Sequence, residues 1–232
     1  MKPQLPVGPN QARIDLLQSV TGALMALFLI VHIHFESSIL LGKDAFFAVV
    51  QILEGGLFTD DGLGRMWVTR VFSGFMLLLF IAHAAAALRR FPTRYRHWKA
   101  LRQQMSVVKH GDTQLWFWQM LTGFLLFFLV SVHLFTMLLN PEIGPHYSAA
   151  RVVHEHAWLL YLLLLPAVVF HAMIGLYRVS LKWGVVANRS RAKKVALFMC
   201  AYLMLMGLAS LLGYVAIGLD LPLNFEPFGP AH

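Results

Sequence analysis

Residues 115–139 read LWFWQMLTGFLLFFLVSVHLFTMLL, twenty-five positions without a single charge. As a helix rising about 1.5 Å per residue the stretch is about 37 Å long, enough to cross roughly 30 Å of hydrocarbon. A lone strand of that composition would leave its backbone unpaired in lipid, whereas a helix satisfies every N–H and C=O internally. The stretch therefore predicts a membrane-spanning helix, with one imidazole, His133, inside it.

Working outward, four more apolar runs of comparable length occupy residues 17–41, 68–88, 157–177 and 195–219. The chain as a whole is 58% hydrophobic and only 13% charged, with a mean hydropathy of +0.64. A soluble domain carries roughly 25% charged residues and could not cover so much apolar surface. The expectation is an all-α integral membrane bundle of five transmembrane helices, forming one domain over the 232 residues. Gly74, Gly123, Pro166, Gly207 and Gly213 fall inside the runs, where membrane helices tolerate them and use small residues for close approach. The first run follows a polar segment, is itself long enough to span and lacks a small-residue cleavage pattern, so no cleavable signal peptide is expected.

The flanking charges orient the bundle. Fifteen of the nineteen Lys and Arg residues fall on one side, among them Lys2, Arg13, Arg89, Arg90, Lys109, Arg178, Lys182 and Arg189. Nine of the eleven carboxylates fall on the other, including Glu36, Glu54, Glu142 and Glu155. By the positive-inside rule the N-terminus is inside and the C-terminus outside. The net charge of +8 thus forms an inner collar suited to headgroups, anionic cofactor groups or an acidic partner, and a nucleic-acid role would leave the spans unexplained. Residues 95–109 mix charge with Trp98, Leu101 and Met105 at helical spacing, which predicts an amphipathic inner-surface helix. The 42–64 loop is long enough to cap the outer face.

Ionisable groups inside spans are expensive and usually functional, and here they are nearly all histidines. His32 and His133 lie beyond the middle of outward-running helices, and His83 and His171 beyond the middle of inward-running ones. At about 1.5 Å per residue they form two layers on the order of 5–8 Å either side of the midplane. Two imidazoles at one depth on different helices suit axial ligation of a haem iron. His34, two residues from His32, points to another face. The single Cys200 excludes a disulfide framework, an all-protein iron–sulfur site and a CxxCH attachment, so any haem is b-type. Two stacked haems would carry electrons across the membrane.

The stretches HIHFESSILLG (32–42), AHAAAALRRFP (82–92), HGDTQLWFWQMLTGF (110–124), SVHLF (131–135) and FHAMIGLYRVSLKWG (170–184) resemble one family. It is the five-helix, dihaem cytochrome b anchor subunit of fumarate reductases and succinate:quinone oxidoreductases. The resemblance implies His32 and His133 as ligands of the outer haem iron, and His83 and His171 of the inner one. It selects His32 over His34. LLQSVTG (16–22) resembles a segment whose Gln and Ser, here Gln18 and Ser19, approach the inner haem propionates. Trp116 and Lys182 match further inner propionate contacts, and Arg151 matches an outer one. Glu54 matches, with a one-residue shift, a carboxylate that accepts protons from menaquinol. Some members carry a glutamate just before the fourth ligand; Val168, Val169 and Phe170 stand there instead, which withdraws support from a proton route through that residue.

The family further implies a flavoprotein subunit with FAD and an iron–sulfur subunit on the inner face, menaquinone as partner, and a place in a bacterial cytoplasmic membrane. A dimer of such heterotrimers is compatible with it. The chain itself has no dinucleotide fingerprint or cluster cysteines, so it would supply haem and quinone sites to the enzyme rather than the fumarate site. Two other readings stay open on residues alone: a cytochrome b anchor of a hydrogenase or formate dehydrogenase, and a histidine-lined proton or metal transporter.

Overall fold

The computed structural model describes residues 9–89, 91–92, 94–107 and 111–229. Lys2, Arg90 and Lys109 of the basic set, and the end of the amphipathic segment at 108–109, lie outside the described residues. Eight α-helices follow in order: α1 Pro9–Ser37, α2 Lys43–Leu53, α3 Met66–Leu88, α4 Tyr95–Val107, α5 Gly111–Leu139, α6 Pro145–Val153, α7 Trp158–Lys182 and α8 Arg189–Asp220. Two 3-10 turns, Ser38–Leu41 and Gly56–Phe58, complete the described helical elements. Among the described residues five helices are long and apolar enough to cross a membrane: α1 with its 3-10 extension, α3, α5, α7 and α8. They are the five runs read from the sequence, with α1 starting earlier, at Pro9, and α7 running on to Lys182. Hydropathy marks where a helix is apolar, not where its hydrogen-bonded ladder ends, so the polar first and last turns escape it.

Helices α1, α3, α5 and α7 pack in a ring, each against the next, and α8 lies outside against α1, α6 and α7. Small residues set its approach. A Cβ on Gly207 would fall 2.6 Å from Leu165 Cδ1, and one on Gly218 2.6 Å from the Ala149 carbonyl oxygen. Ile33, Val169, Met173 and Leu203 form the apolar seam of α1, α7 and α8. The outward faces show Leu24, Leu27, Phe75, Leu78, Phe128, Phe198, Leu205 and Leu212, a surface whose natural solvent is lipid.

The two ends are closed differently. At the end rich in Lys and Arg, called here the basic end, Asp15 of α1 pairs with Arg89 and Lys182, tying α1 to α3 and α7. Asp112 of α5 pairs with Arg189 and Lys193 and accepts from the Tyr177 hydroxyl at 3.0 Å, tying α5 to α8 and α7. Asn188 caps α8, its side chain accepting from the Arg191 N–H at 2.9 Å, which satisfies one orphan donor of the first turn.

At the opposite, acidic end the short helices α2 and α6 lie across the ring. Phe46 and Val50 of α2 pack with Ile39, Ala149, Val152 and Tyr214. Gly42, at φ 117°, turns the chain from the 3-10 extension into α2, a conformation glycine adopts without Cβ strain. Helix α6 begins with Pro145, whose missing N–H is an orphan donor there anyway.

Candidate functional site

Ring packing places each histidine pair on diagonally opposite helices, so both pairs face the bundle axis. His32 of α1 and His133 of α5 have ring centroids 6.2 Å apart, and His83 of α3 and His171 of α7 6.4 Å apart. The first pair lies toward the acidic end, the second toward the basic end. One cavity of about 1020 Å³ runs along the axis and is lined by all four histidines. Single ligand pockets are about 300–1,000 Å³, so this one is large enough for more than one small-molecule group.

The fit to an axially ligated metal can be judged from the rings. An imidazole nitrogen lies about 1.2 Å from its ring centre, and metal–imidazole bonds are about 2.0–2.1 Å. Two imidazoles on one metal therefore have centroids roughly 6.4–6.6 Å apart, and the 6.2 and 6.4 Å seen here agree within about 0.2 Å on each of the two bonds. The proton positions agree at the basic end. His171 Nδ1 lies 2.9 Å from the Gln119 carbonyl oxygen; a carbonyl only accepts, so Nδ1 carries the proton and Nε2 keeps the lone pair. His83 Nδ1 lies 3.2 Å from Thr21 Oγ1, and the ring also bonds the Gln18 backbone. At the acidic end His32 stacks on Phe28 at 5.3 Å, and His133 packs edge-on to Tyr161. His133 Nδ1 is buried without a hydrogen-bond partner.

Two glycines make the cradle. A Cβ on Gly22 of α1 would stand 2.7 Å from His83 Cε1, and one on Gly123 of α5 2.8 Å from His171 Cε1. Nothing larger than hydrogen fits opposite these imidazoles as they stand. His34 is turned away from the cavity, its Nδ1 against the Ile30 carbonyl at 2.6 Å and its Nε2 bonded to the Tyr202 hydroxyl at 3.0 Å. It bridges α1 and α8 on the outside of the bundle.

The other residues singled out from the sequence all reach the cavity. Gln18, Ser19, Trp116 and Lys182 line its basic end. Lys182 is also engaged there, donating to Ser19 Oγ at 3.5 Å and pairing with Asp15. Arg151 of α6 lines the acidic end. The residue is 7% exposed, and its guanidinium donates to the Asn140 and Glu142 carbonyls at 3.1 and 2.9 Å and has a buried Nε without a hydrogen-bond partner. A buried cation with an unused donor suits an anionic group.

Glu54 closes α2 and is 6% exposed, with Oε1 accepting from the Thr69 hydroxyl at 2.7 Å. Burial holds its carboxyl above the usual carboxylate range, and the Thr69 hydrogen bond partly opposes that rise. The 42–64 loop thus brings its one buried acid to the cavity wall. Glu36 lines the same end and accepts from the Tyr214 hydroxyl at 2.7 Å. Val169, one of the three residues just before His171, is fully buried in the apolar seam.

Sequence reading did not single out Thr21, Gly22, Gln119 or Thr122, and it named Gly123 only among the small residues suited to close approach. The signal was present: QSVTG at 18–22 and QMLTG at 119–123 repeat one Gln-x-x-Thr-Gly pattern. It became visible once α1 and α5 were seen in equivalent places.

Comparisons with known proteins bear on this arrangement. Residues 93–209 match the model of the succinate dehydrogenase/fumarate reductase transmembrane subunit family. The chain is 44% identical over 212 residues to the fumarate reductase cytochrome b subunits of two Helicobacter pylori strains, covering 90% of this chain and 82% of theirs. It is 40% identical over 216 residues to the fumarate reductase cytochrome b subunit of Wolinella succinogenes, covering 90% of this chain and 84% of that one. A membrane bundle with this likeness along nine-tenths of its length belongs to the family of succinate dehydrogenase/fumarate reductase transmembrane subunits, as a fumarate reductase cytochrome b subunit.

Proposed function

We propose that this chain holds two b haems by bis-histidine ligation and conducts electrons between menaquinol and the iron–sulfur subunit of a fumarate reductase or succinate:quinone oxidoreductase. The observation that carries this is the pair of diagonal histidine couples, 6.2 and 6.4 Å between ring centres, along one continuous cavity. Haem iron supplies the one-electron chemistry that no side chain in the spans provides.

The residues of the chain have distinct tasks in this reading. His32 and His133 hold the haem nearer the acidic end, and His83 and His171 the one nearer the basic end. Gly22 and Gly123 leave room for the imidazoles of the second pair. Gln18, Ser19, Trp116 and Lys182 receive the propionates at the basic end, and the buried Arg151 guanidinium does so at the acidic end. The surrounding apolar side chains exclude water.

Glu54, buried beside the cavity with its carboxyl held up, is placed to take protons from menaquinol as electrons leave it. The raised pKa brings the group closer to the operating pH, where a general base works best.

The basic end faces the cytoplasm of a bacterial cell, with the N-terminus inside and the C-terminus outside. There the flavoprotein and iron–sulfur subunits dock and carry the fumarate chemistry. This chain is then the haem and quinone subunit of the enzyme.

The test is a reduced-minus-oxidised spectrum of the purified complex, with pyridine haemochrome quantification per chain. Two b haems per chain are expected; a haem-free protein made with ample haem supply would defeat the reading.

A further inference from the structure

The two Gln-x-x-Thr-Gly segments stand in the same relation to two different histidines. In each, the glycine faces the edge of an imidazole on the next helix of the ring: Gly22 faces His83, and Gly123 faces His171. Four residues before each glycine, the Gln backbone bonds the same imidazole. One residue before it, the threonine hydroxyl approaches Nδ1, at 3.2 Å for Thr21 and 3.4 Å for Thr122.

The direction of these contacts follows from the hydroxyl protons. Thr21 donates to the Leu17 carbonyl at 2.7 Å, and Thr122 to the Trp118 carbonyl at 2.8 Å. Each hydroxyl proton is thereby spent within its own helix, so the oxygen faces Nδ1 as an acceptor. The couple nearer the acidic end is built otherwise, with a Phe28 ring against His32 and no partner on His133 Nδ1.

We propose that Thr21 and Thr122 are matched positioning residues whose hydroxyl oxygens, as second acceptors beside the Gln18 and Gln119 backbone, share the Nδ1–H of His83 and His171 and lower the potential of the haem held between them. An acceptor on Nδ1–H draws the proton outward and makes Nε2 a stronger donor to its metal. Stronger donation favours the ferric over the ferrous ion. The inference rests on the dihaem reading above.

The experiment uses the whole complex carrying Thr21→Val, Thr122→Val, the double Val variant, and the corresponding Ala and Ser variants. Haem content is measured first, and then both midpoint potentials by titration of the α-band absorbance. A wild-type complex without two haems would defeat the dihaem reading itself, before the threonines come into question. With two haems present, the Val and Ala variants should raise one of the two potentials. The double variants should raise it furthest, and the other haem should not move.

The Ser variants, which keep the hydroxyl, should titrate as wild type. In a His32→Ala background the single remaining haem should carry the shift. If a Val variant loses haem through its added methyl, the Ala variant decides. Unchanged potentials in the double Ala variant, an equal shift in the Ser variants, or a shift of both haems together would overturn the proposal.

Discussion

Replacing Gly123 by alanine puts the geometry of the bundle under direct strain. The new Cβ would sit 2.8 Å from His171 Cε1 and 3.2 Å from its Nδ1, whereas carbon atoms in contact settle at about 3.5–4.0 Å. Gly123 lies well inside α5, where the backbone has little freedom, so the imidazole must retreat by roughly 0.7–1.2 Å. A retreat of that size strains or breaks the 2.9 Å bond to the Gln119 carbonyl. It is also several times the tolerance of about 0.2 Å on a metal–ligand bond. Shifting α7 instead overpacks a filled interior, which costs about 1–3 kcal/mol. Gly22→Ala makes the same demand on His83, with a contact of 2.7 Å. Each variant complex should therefore lose the haem nearer the basic end and keep the other, read by pyridine haemochrome and the low-spin spectrum. Gly74→Ala is the control, because its Cβ would meet only Leu138 Cδ1 at 3.9 Å, and both haems should stay. Two haems with unchanged spectra in Gly22→Ala and Gly123→Ala would refute the argument that these glycines set the imidazole positions.

Alanine at His32, His83, His133 or His171 should each remove at least one haem, whereas His34→Ala, which breaks the Ile30 and Tyr202 contacts outside the cavity, should leave two; the same haem count decides both. Glu54→Gln should slow menaquinol-dependent turnover while leaving the haem spectra intact. Because the folded-state pKa of Glu54 is raised, its contribution to stability is full below the unfolded value and is lost as pH rises through the folded one. Glu54→Gln should therefore gain on wild type in melting temperature toward neutral pH, and the two should behave alike in acid. Arg151→Gln removes the charged donor to the Asn140 and Glu142 carbonyls and should cost about 1.5–3 kcal/mol in thermal unfolding. Losing that cation should also lower the potential of the haem nearer the acidic end. Gly218→Val pushes a Cβ against the Ala149 carbonyl, and a lowered melting temperature with the other haem's spectrum untouched is expected.

Legibility from sequence differed by element, for physical reasons. The five spans were readable because a hydrocarbon solvent demands about twenty apolar residues in succession, a signal far stronger than the short-range patterns of soluble helices. Histidines at two depths were readable because an imidazole in such a run is rare and its position along the helix gives its depth, whereas the choice of His32 over His34 came from the resemblance. Helix α6 was not singled out: nine residues containing His146, Arg151 and a proline resemble a polar loop until Ala149 and Val152 are seen packed under α8. Helix α2, Lys43–Leu53, falls inside the stretch that reads as a capping loop for a similar reason, its apolar side being only a few residues long. The sequence reading assigns the collar to headgroups, anionic cofactor groups or an acidic partner, and the structure adds that Arg89, Lys182, Arg189 and Lys193 are engaged with Asp15 and Asp112. Those pairs join residues far apart in the chain, so no local pattern announces them.

The sequence by itself determined that this is a five-span helical membrane protein with histidines at two depths, because solvent, helix rise and side-chain type act locally. Depth and the resemblance already paired His32 with His133 and His83 with His171; the tertiary structure added the order in which four helices close into a ring and the 6.2 and 6.4 Å that separate the paired rings. It also decided that Arg151 and Glu54 are buried at one cavity wall, and that Gln18-x-x-Thr-Gly and Gln119-x-x-Thr-Gly face His83 and His171 alike. Such relations are distances between separate helices, set by how closely glycines allow them to pack.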